Sequence, residues 1–252
     1  MLMDLKKDWE FNVLQVYNYK ASGKLDGYFN FIKQNHNKLD GDICEIGVYR
    51  GFSIIATAML LRDLGSDKKV WGFDSFSGFP SYHENDDLVN FESLHDNGSI
   101  SEKHFQDYKL NVQLKEFMSG GSILPSTISS SMDFSKTSLS LLKSKIEYFE
   151  LDNIVLVDGD YKNSMTQKKN MDAKFMSSLI DCDLYESHKI ALPFVWDRLV
   201  EGGYMYLDEY YSLKFPGARI ATDEFFVNKV DKPEMYSRKS MDFERWFVIK
   251  KA

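Results

Sequence analysis

Five short apolar runs in this 252-residue chain each lead into a glycine or a carboxylate. Ile43 to Ile46 ends at Gly47, Val70 to Phe73 at Asp74, and Ile154 to Val157 at Asp158. Met176 to Ile180 ends at Asp181, with Asp183 just beyond, and Tyr204 to Leu207 ends at Asp208 and Glu209. Strand ends in an open parallel sheet converge on one edge, which is where ligands bind. Carboxylates gathered there are costly to desolvate unpaired, so the concentration asks for a hydroxyl-rich ligand or a cation. The first turn reads Glu45-x-Gly47-x-x-x-Gly51-x-Ser53. Its glycines let the backbone approach a ligand and the next helix pack close to the strand. It is not G-x-G-x-x-G, so the pyrophosphate cradle of a nicotinamide site is missing. Asp74 is suited to accept from a ribose diol.

These residues need a scaffold of alternating strands and helices. A helical stretch from Phe52 to Leu64 follows the first turn, which makes strand, glycine turn, helix, strand and acid a βαβ opening. A later helix is expected over about Ser187 to Val200, capped by Gly202-Gly203, with Pro193 kinking it or shifting its start. Glu234 to Lys239 and Glu244 to Lys250 read as a closing hairpin. Before the first strand, residues 5–36 read as two helices interrupted at Ser22-Gly23. Leu5, Trp9, Val13 and Val16 share a face of the first, and Phe29, Phe31 and Ile32 continue the pattern. Residues 81–150 break the alternation. The segment is too long for a loop and is expected to contain helices and act as a lid. No internal repeat or domain boundary is visible, so residues 1–252 read as one domain, with N-terminal helices over 1–40.

Four motifs in order resemble the macrocin O-methyltransferase (TylF-like) family of S-adenosylmethionine-dependent enzymes. They are Glu45-Ile46-Gly47-Val48-Tyr49-Arg50-Gly51-Phe52-Ser53; Gly72-Phe73-Asp74-Ser75-Phe76-Ser77-Gly78-Phe79-Pro80; Asp181-Cys182-Asp183-Leu184-Tyr185-Glu186-Ser187; and Gly202-Gly203-Tyr204 through Asp208-Glu209-Tyr210. Gly217-Ala218-Arg219 with Asp223-Glu224-Phe225 is similar to the helix that follows in that family. The resemblance implies an α/β fold, the class I methyltransferase Rossmann-like sheet of seven strands with the last antiparallel and helices on both faces. It also implies that Glu45 and Gly47 line the methionine end of the cofactor, with Gly51 and Ser53 among the cofactor-binding residues. Asp74 and Ser75 then serve its ribose, and Asp158, Gly159 and Asp160 border its adenine. A divalent metal falls to Asp181, Asp208 and Glu209. An oxygen donor set suits Mg²⁺ or Mn²⁺, while Cys182 and His188, which replace a glycine and a threonine of the family pattern, would suit Fe²⁺. Glu209 stands where the family usually has aspartate.

A sugar hydroxyl is a poor nucleophile at neutral pH, so metal activation and a base address the main obstacle. The base candidates are Asp181, Asp183 and His83, which follows Pro80 closely on the expected lid. Tyr210, Tyr211, Arg219 and His188 are candidates for holding substrate. The bland reading of Arg219 is a salt bridge to Asp223, and His188 opens the expected helix beside the acids. The expected reaction is therefore methylation of a sugar hydroxyl on a nucleotide-activated or glycosylated metabolite of bacterial polysaccharide or natural-product biosynthesis. The alternatives are a phosphate-type acceptor, a nicotinamide-dependent oxidoreductase and a non-catalytic accessory protein. A net charge of -7 speaks against nucleic acid as a partner. No apolar run is long enough to span a membrane. With two cysteines and no visible signal peptide, a reducing cytoplasm is expected. Family members often associate, so a homo-oligomer is part of the expectation.

Overall fold

A computed structural model describes residues 5–166, 172–236 and 243–251. Seven strands form one sheet in the order β3-β2-β1-β4-β5-β7-β6. The first five, β1 (Asp42–Ile46), β2 (Val70–Asp74), β3 (Ile154–Asp158), β4 (Phe175–Ile180) and β5 (Leu199–Leu207), are parallel. The closing hairpin is present as β6 (Glu234–Met235) and β7 (Trp246–Ile249), with β7 antiparallel to β5. The part of the expected hairpin at 237–239 lies outside the described residues. The order reverses between β1 and β4, so the crevice where ligands bind falls at their carboxyl ends. This is the Rossmann-like methyltransferase sheet that the motifs imply.

Both faces of the sheet are covered. One apolar cluster joins helices α2 (Asp26–Asn35) and α3 (Phe52–Asp63) to residues such as Ile43, Leu179 and Tyr206. Helix α3 has no polar face to speak of, and every residue from Ser53 to Leu61 is buried, as expected for a crossover helix between β1 and β2. On the other face, helices α9 (Tyr185–Arg198) and α10 (Pro216–Phe226) cover Ile46, Phe73, Ile180 and Met205. The 81–150 segment does contain helices. They are α4 (Asn90–Asp96), α5 (Glu102–Ser119), α6 (Pro125–Ile128) and α7 (Leu139–Tyr148), which precede the short α8 (Tyr161–Ser164). No described helix is long and apolar enough to cross a membrane.

Two local readings need correction. The first helix, α1, spans only Asp8–Leu14 and buries Phe11, while Trp9 and Val13 are exposed. Gln15 takes a left-handed conformation (φ 52°) and ends the helix, so the apparent stripe from Leu5 to Val16 is not one continuous face. The second concerns Gly202-Gly203, which caps no helix. Helix α9 runs through Pro193 and passes at Leu199 directly into β5, which contains both glycines. There Phe175 pairs with Leu199 but Ser177 with Tyr204, so the intervening stretch of β5 bulges out of the ladder. Gly202, at φ 76°, supplies the left-handed step that such a bulge needs.

Candidate active site

The sheet register builds the site. Ile46 pairs with Phe73 on one side and Ile180 on the other, Ile180 pairs with Leu207, and Asp74 pairs with Asp158. The next residues, Gly47, Asp181 and Asp208, therefore stand with Asp74 in a row across the carboxyl edge. A cavity of about 490 Å³ opens above that row, walled by Gly47, Asp74, Asp181 and Asp208. Phe79, Ser129, Ser130, Ser131 and Phe134 also line it.

Gly47 has φ 87°, and a side chain there would be driven into the carbonyl oxygen of Asp181. The first turn and the β4 acid are thus in backbone contact. The turn is also fixed from β2. One carboxylate oxygen of Asp74 accepts the backbone N–H of Val48 and of Tyr49, both at 2.8 Å, and the other accepts that of Phe76 at 2.7 Å. Behind the turn, Glu45 is fully buried, and its Oε1 accepts the Ser53 hydroxyl at 2.8 Å. Burial pushes its carboxyl well above the usual range, with the Ser53 bond opposing. Glu45 Oε2 has no hydrogen-bond partner. An orphaned acid oxygen behind a cavity-lining serine suits the cationic amino end of an amino-acid-like cofactor.

Asp181, Asp208 and Glu209 present carboxylate oxygens that all lie within 4.8 Å of one another. Asp208 Oδ1 and Glu209 Oε2 are buried without a partner. Burial, then repulsion from its neighbours Asp181 and Asp208, holds the Glu209 carboxyl well above its usual range. Burial and Asp208 likewise raise Asp181. Asp183, in a left-handed conformation (φ 60°) on the cavity wall, is pushed up to about 7 by burial, with Lys214 opposing and Asp181 adding. Two lysines answer these acids. Lys24 Nζ lies 2.6 Å from Asp208 Oδ2 and 3.9 Å from Asp181 Oδ2. Burial would raise Asp208, but the Lys24 ammonium outweighs it and lowers that carboxyl. Lys214 also lines the cavity, and Asp183 and Glu209 raise its ammonium against the effect of burial. A hard, oxygen-seeking divalent cation fits a donor set of this kind.

Neither lysine was anticipated from the sequence. Lys24 sits where the N-terminal helical pattern breaks, and only the folding of that segment against β5 brings it to the acids. The Tyr206 hydroxyl fixes it there by donating to the Lys24 carbonyl at 3.1 Å. Lys214 follows the acids of β5 closely in sequence, and that proximity was the available signal.

Of the remaining expected site residues, Ser53, Ser75 and Asp160 line the cavity. Glu45, Asp158, Gly159 and Gly51 do not. Gly51 opens α3 at φ 81° beside Leu142, and the Gly159 N–H donates to the Asp74 carbonyl at 3.0 Å. Five others are held away from it. His83 stacks on Tyr185 with centroids 4.6 Å apart, and its Nδ1 accepts from Asn85 N–H. His188 is buried on α9, with Nδ1 3.0 Å from the Leu184 carbonyl and 3.5 Å from Cys182 Sγ. Tyr210 donates to Asp223 at 2.7 Å, and Tyr211 donates to Asp107 at 2.6 Å. Arg219 bonds Asp223 at 2.8 Å, also bonds the Ser99 carbonyl, and lies over the Tyr210 ring at 3.7 Å. The salt-bridge reading of Arg219 describes its contact with Asp223, whereas His188, expected beside the substrate, is a buried core residue.

Burial pushes His188, and also His104 on α5, down to about 4. A histidine that is harder to protonate folded than unfolded gives stability that is complete above its unfolded value near 6.5. That stability is lost as the pH falls towards about 4. The His188 contribution is on the order of 3 kcal/mol. Urea midpoints at pH 7.5 and 5 should therefore converge in a His188→Gln variant relative to the parent chain, and equal pH slopes would contradict the assignment.

Comparison with known proteins points the same way. The model of the family described as macrocin-O-methyltransferase (TylF) matches residues 23–121 and 126–236. A curated relative, the 8-demethyl-8-(2,3-dimethoxy-alpha-L-rhamnosyl)-tetracenomycin-C 4'-O-methyltransferase of Streptomyces olivaceus, is 26% identical over 174 residues. That alignment covers 68% of this chain and 53% of the relative, so the chain spans about half the length of the curated relative it matches. Among solved structures, the O-methyltransferase NovP superposes with a TM-score of 0.60 at 19% identity, over 88% of this chain and 79% of that one. The calicheamicin methyltransferase CalS11 superposes with a TM-score of 0.61 at 17% identity, over 96% and 80%. At these identities the structures establish the fold.

Proposed function

Because this chain belongs to the macrocin-O-methyltransferase (TylF) family, we propose that it transfers the methyl group of S-adenosylmethionine to a sugar hydroxyl with the help of a divalent metal. The acceptor would be a nucleotide-activated or glycosylated metabolite of natural-product or polysaccharide biosynthesis, and the rhamnosyl acceptor in the name of the Streptomyces relative supports a sugar. The observation that carries the reading is the row of strand ends. It sets the Gly47 turn against the Asp181, Asp208 and Glu209 carboxylates over one cavity.

In this reading each group has one task. Glu45 takes the amino end of the cofactor through its orphaned oxygen, and Asp74 takes the ribose hydroxyls. Asp181, Asp208 and Glu209 hold the metal, Mg²⁺ or Mn²⁺ by the hardness of the donors. When bound, such an ion lowers the pKa of a coordinated hydroxyl and orients it. Asp183 on the cavity wall takes the hydroxyl proton as the oxygen attacks the methyl carbon. The carbon–sulfur electron pair leaves with the sulfur, which gives S-adenosylhomocysteine and a methyl ether. The sheet edge supplies proximity, since acids and cofactor turn share one rigid backbone frame. The residues of 81–150 that wall the cavity serve as its lid, and the chain acts in the cytoplasm, as a homo-oligomer.

Incubation with S-adenosylmethionine and a panel of nucleotide sugars, read by mass spectrometry, should show the gain of one methylene on the acceptor. Dialysis against a chelator should reduce turnover at least a hundredfold, with recovery on adding Mg²⁺ or Mn²⁺. Undiminished turnover after metal removal would sink the metal assignment while leaving the transferase reading intact. Calorimetric binding of a nicotinamide cofactor in place of S-adenosylmethionine would overturn both.

A further inference from the structure

We propose that Lys24 is a built-in cation that competes with the divalent ion for Asp208, and so sets the metal affinity of the site and couples it to the N-terminal segment. The inference rests on the metal reading above. Lys24 Nζ stands 2.6 Å from one proposed ligand and 3.9 Å from another. The ammonium reaches the acids from outside the sheet, on the segment that leads into α2, and its backbone is anchored to β5. Tyr206 on β5 holds its carbonyl, and the Tyr17 ring lies 6.0 Å from Nζ. Four acids (Asp181, Asp183, Asp208 and Glu209) and two lysines (Lys24 and Lys214) face the same end of the cavity.

A divalent ion held by Asp181, Asp208 and Glu209 would share the Asp208 carboxylate with Lys24. The ammonium against Asp208 Oδ2 would then stand well inside the salt-screening length from a doubly charged ion. Both cations draw on the same carboxylate. Metal entry therefore weakens the Lys24–Asp208 pair, and the pair in turn weakens metal binding, by the same factor in each direction. The tether of the 17–25 segment to the acid cluster loosens as the metal arrives.

The experiment measures Mn²⁺ affinity by calorimetry in the parent chain and in Lys24→Met, Lys24→Gln and Lys24→Arg. Removing the charge should tighten Mn²⁺ binding at least tenfold in the methionine and glutamine variants, whereas Lys24→Arg should stay within about threefold of the parent. Glutamine keeps a donor for Asp208 and serves if the methionine variant does not fold. In the parent chain, Mn²⁺ should also speed amide exchange over residues 17–26, and that response should vanish in Lys24→Gln. Equal or weaker Mn²⁺ binding in the charge-removed variants, as expected of a lysine that only orients Asp208, would overturn the proposal and leave the metal site standing. Absence of Mn²⁺ binding in all four proteins would overturn the metal reading and this inference together.

Discussion

Asp181→Ala should lower kcat/KM for methyl transfer by on the order of a thousandfold while changing S-adenosylmethionine affinity less than about threefold. The argument is one of position. Asp181 directly follows Ile180, which β1 and β5 pair from both sides, so its carboxylate stands between the glycine turn and the acids of β5. Alanine at this position removes one of three clustered oxygen donors and relieves the repulsion that raises Glu209, but keeps the Glu45, Ser53 and Asp74 side chains in place. Turnover and cofactor binding should therefore separate. Steady-state kinetics beside calorimetry with S-adenosylmethionine measures both, and retained turnover would remove Asp181 from the metal and the chemistry alike.

Gly47→Ala should be more damaging in a different way, because it strikes binding and stability at once. The residue sits at φ 87°, which costs a non-glycine residue about 1–3 kcal/mol by itself. Its new methyl would also be driven into the Asp181 carbonyl, a backbone atom that cannot swing aside. Relief requires β1 and β4 to separate at the switch point, which shifts both the cofactor turn and the first acid of β4. The expected result is a loss of about 3 kcal/mol or more in stability and at least a hundredfold in cofactor affinity. Urea unfolding and calorimetry on the same preparation test it. A stable variant with normal affinity would show that the turn is looser than its contacts imply.

The sheet was legible because its parallel strands are short, apolar and end in chemically distinctive residues. Gly47, Asp74, Asp181 and Asp208 fall where those strand ends predict. Residues chosen for nearness in sequence to the acids fared differently. Asp208–Tyr211 is a tight 3₁₀ turn, in which successive side chains fan out around the axis. Asp208 and Glu209 line the cavity, while Tyr210 and Tyr211 point to Asp223 and Asp107. His188 follows the same logic on α9, where its position selects the face packed on the sheet. Lys24 was illegible for the opposite reason. It is 184 residues from Asp208 in the chain, and nothing local to either residue encodes their meeting. The glycine pair at 202–203 misled because a left-handed glycine serves a strand bulge as well as a helix end.

That bulge has a bearing on how the chain tolerates insertions and deletions. Between Leu199 and Tyr204 the β5 backbone is out of step with β4, and the ladder then resumes and runs unbroken to the pair Ile180–Leu207. A residue gained or lost near the end of α9 falls in this bulge, which Gly202 and Gly203 bond to Lys250 rather than to β4, before the ladder with β4 restarts. Length variation is thereby kept from reaching Asp208 and Glu209, whose alignment with Asp181 is counted from Tyr204 onward. The same change made between Tyr204 and Leu207 has no such buffer, and would move both acids off the row by one side-chain position.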